Sequence, residues 1–306
     1  MKNNTLRKKI LVGIIFLFII MSLNSSIGKS AENKSFIKIP KGNILYVGGN
    51  GEGNYSSIQD AIYNASDGNT VFVFDDSSPY NENINIDKSI NLIGEDKNST
   101  IIDGSGKKEV IYLSANNIEI LGFTIRKSSD DNAAIFVYED GNSIKISDNI
   151  IEENYIGIFL DCPDWHYKIF DYQGNYLGSN KNFLVKNLIK NNTYGIYLKG
   201  SSYNTISQNF IKNNNFGIKI TQDDYPAAPN SYGNCINKNV FIRNDKNAFD
   251  KCNNRWKFNY WDDWIGLKIK ILRFLPYPIP GTILRNFDWS PVNYPNGKNN
   301  QEVIYD

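Results

Sequence analysis

Three residue types are scarce in this chain of 306 residues: one histidine, three cysteines and two methionines. The lone His166 lies four residues after Cys162. Two ligands at that spacing make no metal centre, so the pair reads as a surface imidazole and a solvated thiol. Three cysteines (Cys162, Cys235, Cys252) allow at most one disulfide, which excludes a disulfide-framed fold. Lys and Arg number 33 against 32 Asp and Glu, so no basic excess exists to bind nucleic acid. Apart from Ile10–Leu23, no apolar run is long enough to approach a membrane span.

That run follows Lys2, Arg7, Lys8 and Lys9 and precedes the small residues Ser25, Ser26, Gly28 and Ser30. The pattern is that of a secretory signal over 1–30, with cleavage expected near Gly28 or Ser30; an uncleaved anchor is the alternative. Removing it takes away five basic residues and no acid, so the formal charge falls from +1 to −4. The expected location is secreted or at the cell surface, with membrane contact only through this segment if it is retained.

What the chain has in abundance is asparagine set against isoleucine. SDNIIEENYIGIFL (147–160), VKNLIKNNTYGIYL (185–198) and SQNFIKNNNFGIKI (207–220) share one pattern. In each, an asparagine (Asn149, Asn187, Asn209) precedes a glycine (Gly157, Gly195, Gly217) by eight residues, and a degenerate copy sets Asn239 eight before Asn247. Units this short and this rich in β-branched residues are coils of a stacked β-architecture, not helix pairs. Within Gly-Ile-Phe-Leu, Ile158 and Leu160 face one way and Phe159 the other. Asn and Gly suit the positive φ of turns, and asparagines stacked about 4.8 Å apart can form amide ladders. The fold class is therefore all-β, a single-stranded parallel β-helix.

The inward position runs through Leu92, Ile120, Ile146, Leu184, Ile206, Ile236 and Trp256, at spacings of 28, 26, 38, 22, 30 and 20. The shortest spacings set the coil, so the longer ones carry insertions, chiefly 161–181 and 221–232. Both follow the Gly-Ile strand and leave one edge, with the short link Lys199–Tyr203 between them; two walls and a low rung would make a cleft. Residues 56–66 read as the N-terminal capping helix, with Ser56 and Gln59 as a capping box and Ile58, Ala61, Ile62 and Ala65 on one face. The organisation is thus a signal peptide over 1–30, a linker over 31–43, the β-helix over 44–264 and an irregular cap over 265–306. LKIKILRFL (267–275) is expected to pair with or pack over the last coil; a tail for a partner or the cell wall is the alternative.

The segment YVGGNGEGNYSSIQDAIYNASDGNTVFVFDDSSPYNENINIDKSINLIGEDKNSTIIDG (46–104), the Asn/Gly-Ile coils and NYWDD (259–263) resemble right-handed parallel β-helix proteins of the NosD-like type, exported members that carry the carbohydrate-binding and sugar-hydrolase repeat. The resemblance covers about 45–264. It implies a right-handed solenoid and a poly- or oligosaccharide partner. The opening is also similar to pectin methylesterases, but their glutamine–aspartate and aspartate–phenylalanine catalytic segments have no counterpart, nor has the polygalacturonase-like set of paired Asp, Gly-His-Gly and Arg-Ile-Lys. A copper role, which the NosD likeness would imply, lacks ligands: Met1 and Met21 both lie in the signal segment.

Two groups are candidates for chemistry. Phe136, Phe159 and Tyr197, followed by Lys219, form an outward column whose ring faces could stack on sugars, with Trp165 of the neighbouring loop beside them. The alternative is that this loop folds back and covers them. On the adjoining edge lie Glu139, Asp140, Asp161, Asp164, Lys199, Asp223 and Asp224. In a lyase, Lys199 would remove the α-proton of a uronic acid. Asp161, Asp223 and Asp224 would hold Ca²⁺ against the substrate carboxylate. Two of the acids could instead form a glycosidase pair, or all of them could be solvated turn residues. No metal or cofactor is expected outside the lyase reading. The leading functional reading is a glycan-binding or structural surface protein.

Overall fold

The computed structural model describes residues 42–138, 141–161, 178–222, 231–281 and 286–293. The expected signal segment, most of both insertions, and Glu139, Asp140, Cys162, Asp164, Trp165, His166, Asp223 and Asp224 lie outside the described residues. The described chain is a parallel β-solenoid of three sheets, of eleven, seven and seven strands. Each central coil contributes one strand to each sheet, and the extra strands of the first sheet come from the two ends. The 22 pairings between strands are parallel except for one terminal hairpin.

The inward column is in register from coil to coil as the spacing predicts. Leu92 pairs with Ile120, then Ile146, Leu184, Ile206, Ile236 and Trp256, and all are buried. A second inward column runs Ile102, Ile125, Ile151, Ile189, Ile211, Phe241 and Trp261. Stacked isoleucines fill the interior because β-branched side chains standing on parallel strands interlock without voids. The side chains grow to Phe241 and Trp261 at the C-terminal end, where Tyr277 stacks on Trp261 at 4.1 Å and closes the core.

The buried ladder asparagines do one of the two jobs expected of them, while Asn117, Asn191 and Asn213 do the other and adopt positive φ. Asn149, Asn187, Asn209, Asn239 and Asn259 are all buried. From Asn187 onward, each Oδ1 accepts both the backbone N–H and the Nδ2–H of the asparagine one coil earlier, at 2.9–3.2 Å, and the first, that of Asn149, accepts from Phe123 N. Two further ladders run through Asn154, Asn192, Asn214 and Asn244, and through Asn182, Asn204, Asn234 and Asn254. The positive φ falls on the residue before each rung: Asp148, Lys186, Gln208, Lys238 and Phe258 in the first ladder. The strand glycines are not turn residues either. A Cβ on Gly157 would stand 2.5 Å from the Gly195 carbonyl, and one on Gly195 would stand 2.6 Å from that of Gly217. They are glycine because coils approach closely there.

The asparagine-to-asparagine bonds of a ladder all donate toward the C-terminal end, and each ladder stops on a carboxylate. Asp288 Oδ2 accepts from Asn259 N and Nδ2 and from Trp261 Nε1. Asp250 accepts from Asn254 Nδ2, Cys252 N and Trp256 Nε1. The remaining ladder passes from Asn244 through Asn247 to Asp262 and Asp263. Aligned amide dipoles accumulate positive character at their donor end, as at a helix N-terminus, and an anion there completes the chain.

The N-terminal end is capped by a helix, Ile58–Asn64, whose Ile58, Ala61 and Ile62 are fully buried. The capping box differs from expectation. Ser57, not Ser56, is the N-cap, and the Glu82 carboxylate takes the N–H groups of Ile58 and Gln59. Gln59 is thereby released to bond the backbone N–H and C=O of Asn85, on the edge strand of the third sheet. The side chain stands in for a missing strand and blunts an open edge. At the other end, the cover is Trp264, Tyr277, Ile279 and the strand Phe287–Asp288. Segment 267–275 is not that cover, since Lys268–Ile271, Arg273 and Phe274 are exposed.

Candidate functional site

The third sheet carries the expected aromatic column. Its strands Ile111–Leu113, Ala133–Val137, Ile156–Leu160, Tyr194–Lys199, Phe216–Thr221 and Lys246–Asp250 lie side by side. Their alternation buries Ile135, Ile158 and Ile196 and turns Phe136, Phe159 and Tyr197 outward, half-buried. Pairing runs Tyr112, Phe136, Phe159, Tyr197, Lys219, Phe249. Tyr112 was not anticipated because its coil lacks the Gly-Ile signature; its signal is the alternation in IYL alone. Beside this column lies a second one, Tyr194, Phe216 and Lys246.

The rings pack on one another. Phe136 and Phe159 have centroids 5.2 Å apart with planes at 27°, and Phe159 and Tyr197 are 5.0 Å apart at 18°. Near-parallel rings at that separation overlap, since coplanar rings set edge to edge cannot come so close. Both faces of Phe159 are therefore covered by its neighbours, and the expectation of free ring faces for sugar stacking is corrected. What the column offers outward is ring edges, the positive rim of the aromatic quadrupole. At its C-terminal end Lys219 Nζ lies 4.7 Å from the centroids of both Tyr194 and Tyr197, and Lys246 Nζ lies 4.9 Å from Phe216. Tyr197 Oη shares a hydrogen bond with Thr221 Oγ1 at 3.2 Å.

Of the expected catalytic set, Asp161 and Lys199 are described and Asp223 and Asp224 are not. Leu160 pairs with Leu198, so Asp161 and Lys199 follow at neighbouring positions on adjacent coils. Both are half-buried, and Asp161 fixes the turn through its carbonyl, which accepts from Ser179 N and Oγ. Among the described residues no three His, Cys, Asp or Glu side chains converge as a metal site. Cys235 and Cys252 are free thiols, and burial pushes the Cys252 thiol up to about 11, which leaves it protonated and inert.

A concavity unforeseen in the sequence lies at the N-terminal end of the first sheet. It holds about 590 Å³ and is lined by Tyr46, Phe74, Asn54, the backbone of 49–51, and Asp75, Asp76 and Glu95. The loop GGNGEGN folds over it through Gly49 N to Asp76 Oδ1 and Asn54 Nδ2 to the Gly48 carbonyl. Its acids are structural in part: Asp75 accepts from Ser99, and Glu95 from the Asp75 N–H. A glycine run between a strand and a helix was the available signal.

Among solved structures, the chain is similar to a pectin methylesterase in complex with a hexasaccharide, at 14% identity and TM-score 0.46 over 71% of this chain and 70% of that one. It is also similar to pectin methylesterase from carrot, at 13% identity and TM-score 0.46 over 74% and 80%. For pectin methylesterase PemA from Erwinia chrysanthemi the values are 11% and 0.41 over 71% and 88%. No curated protein matches the sequence. Residues 97–255, which span the stacked coils with their asparagine ladders, match the family described as the right handed beta helix region, and the chain belongs to that family.

Proposed function

We propose that this right-handed β-helix protein is exported and binds poly- or oligosaccharides at the cell surface, and that acidic glycans are its preferred ligands. One observation carries the reading: the outer face of the third sheet presents a row of aromatic edges, Phe136 to Tyr197, that ends in Lys219 and Lys246. Positive ring edges favour glycan hydroxyl and carboxylate oxygens, and the two lysines add formal charge for a uronate. Coils about 4.8 Å apart place these contacts at a regular pitch along an extended chain. Basic Lys2–Lys9, the apolar run Ile10–Leu23 and the small residues after it support export.

The test is calorimetric titration with polygalacturonate and with a neutral glucan. Binding of the polyuronate, weakened about 2–10-fold by Tyr197→Ala and also by Lys219→Ala, is the expected result. Equal affinity for both glycans, or no effect of either substitution, overturns it.

The neighbouring register of Asp161 and Lys199 favours a second reading, a polyuronate lyase. Lys199 would abstract the α-proton and acidic side chains of the edge, Asp161, Asp223 and Asp224, would hold Ca²⁺. Unsaturated product absorbing in the ultraviolet, dependent on Ca²⁺ and abolished by Lys199→Ala, would identify it. Binding without such product leaves the protein as a binder.

A further inference from the structure

The C-terminal closure leaves an apolar and basic tip that the core does not use. Between Trp264, which is buried, and Tyr277, which seals the core, the chain makes a short helix, Ile265–Lys268, and a 3₁₀ turn, Lys270–Leu272. Ile271 is 79% exposed and Phe274 76%, with Ile265 and Ile269 also open to solvent. The terminal hairpin pairs Tyr277 with Asp288 and Pro278 with Phe287, which sets Trp289 opposite Pro276, two residues from Phe274. Trp289 is 72% exposed. Large apolar side chains this open, gathered in one place, mark an interaction surface.

The charge of the tip selects among partners. Residues 265–276 contain Lys268, Lys270 and Arg273 and no acid. Among the described residues none of the three has an ion-pair partner. The nearest acids in sequence are engaged elsewhere: Asp262 accepts from Arg243 N, and the exposed Asp263 accepts from Asn247 and Tyr277. A two-fold contact with a second copy would set this basic patch against itself, which like charges oppose. Apolar side chains ringed by Lys and Arg match instead the boundary between lipid headgroups and acyl chains. There Ile271, Phe274 and Trp289 would enter the acyl edge while the cations meet phosphates.

We propose that the tip formed by 265–276 and Trp289 docks the solenoid end-on to an anionic lipid surface, peripherally and without crossing it. None of the described helices is long and apolar enough to span a bilayer. The proposal is independent of the glycan face, which lies on the outer side of the third sheet.

Bromine-labelled vesicles test it on the full chain, by reading Trp289 itself. The apolar segment 10–23 contains no tryptophan, so any contact that segment makes with lipid gives no signal. With vesicles of phosphatidylcholine containing one-third phosphatidylglycerol, tryptophan emission should be quenched, and Trp289→Phe should remove the quenching. Quenching should also be lost in Ile271→Ser/Phe274→Ser. Lys268→Glu/Lys270→Glu/Arg273→Glu should lower the apparent affinity about 100-fold, as should high salt. All substituted side chains are exposed, so unchanged circular dichroism is expected to confirm folding. Unquenched wild type, equal quenching on phosphatidylcholine alone, quenching that survives in the variants, or lipid-independent dimers dispersed by Ile271→Ser/Phe274→Ser would each overturn the proposal.

Discussion

Asn209→Ala cuts the longest ladder at its middle, and its cost can be worked from the bonds it removes. Asn209 Oδ1 is the acceptor for Asn187 N at 3.0 Å and for Asn187 Nδ2 at 3.1 Å. The Nδ2 group of Asn187 keeps the Ile146 carbonyl at 2.8 Å, but its backbone N–H is left without a partner in a fully buried turn. An orphaned buried donor costs about 1–3 kcal/mol. The bonds from Asn209 Nδ2 to the Leu184 carbonyl and to Asn239 Oδ1 are lost as well, at about 0.5–1.5 kcal/mol each. Asn239 Oδ1 keeps Asn209 N, so nothing further is stranded there. The expected total is about 2–6 kcal/mol. Equilibrium unfolding in urea, followed by circular dichroism and tryptophan emission together, measures it. Asn215→Ala is the control: Asn215 is exposed and takes part only through its backbone, so a change within about 0.5 kcal/mol is expected. If both variants lose the same small amount, the ladders are decoration and the turns are held by something else.

Three further outcomes follow from the same geometry. Asp288→Ala strips the terminal acceptor from Asn259 and Trp261 and should cost about 3 kcal/mol or more, with the near-ultraviolet dichroism of the C-terminal tryptophans reporting the loss. Gly195→Ala sets a Cβ 2.6 Å from the Gly217 carbonyl and should cost about 1–3 kcal/mol by overpacking, visible as a lowered Tm. Asp250 occupies the inward position that is Ile220 one coil earlier, and burial raises its pKa from 3.8 to about 6 against the donors of Trp256, Cys252 and Asn254. A carboxyl that holds its proton more tightly when folded contributes most below pH 3.8 and loses that contribution as pH rises toward 6, about 3 kcal/mol in all. The stability difference between wild type and Asp250→Asn should therefore shift between pH 4 and 7. A difference constant across that range refutes the assignment.

The stacking order was legible because the apolar side chains repeat at positions that coil spacing alone can align, and Leu92 through Trp256 pair as that spacing requires. The left-handed residues other than Asn and Gly were not legible. Tyr203, Arg243 and Phe258 adopt φ of 54–60° because the rungs above and below impose it, against their own preference. The helix cap shifted by one residue because Glu82, 23 to 25 positions away, supplies the acceptor that a local capping box would have. At the site, parity told which side chains face outward but not how rings turn about χ1 and χ2, and that rotation decides whether faces or edges are offered. Chain termini lose the repeat that made the coils readable: Tyr277 and Phe287–Asp288 close the core, whereas the more apolar-looking 267–275 does not.

The most direct test of the glycan-binding face is a crystal structure of the protein with a bound uronic-acid oligosaccharide. The account predicts an extended sugar chain lying along the ring edges of Phe136, Phe159 and Tyr197, with carboxylates near Lys219 and Lys246. A sugar bound elsewhere, as in the acidic depression around Tyr46 and Asp76, or no sugar at saturating ligand, would contradict it.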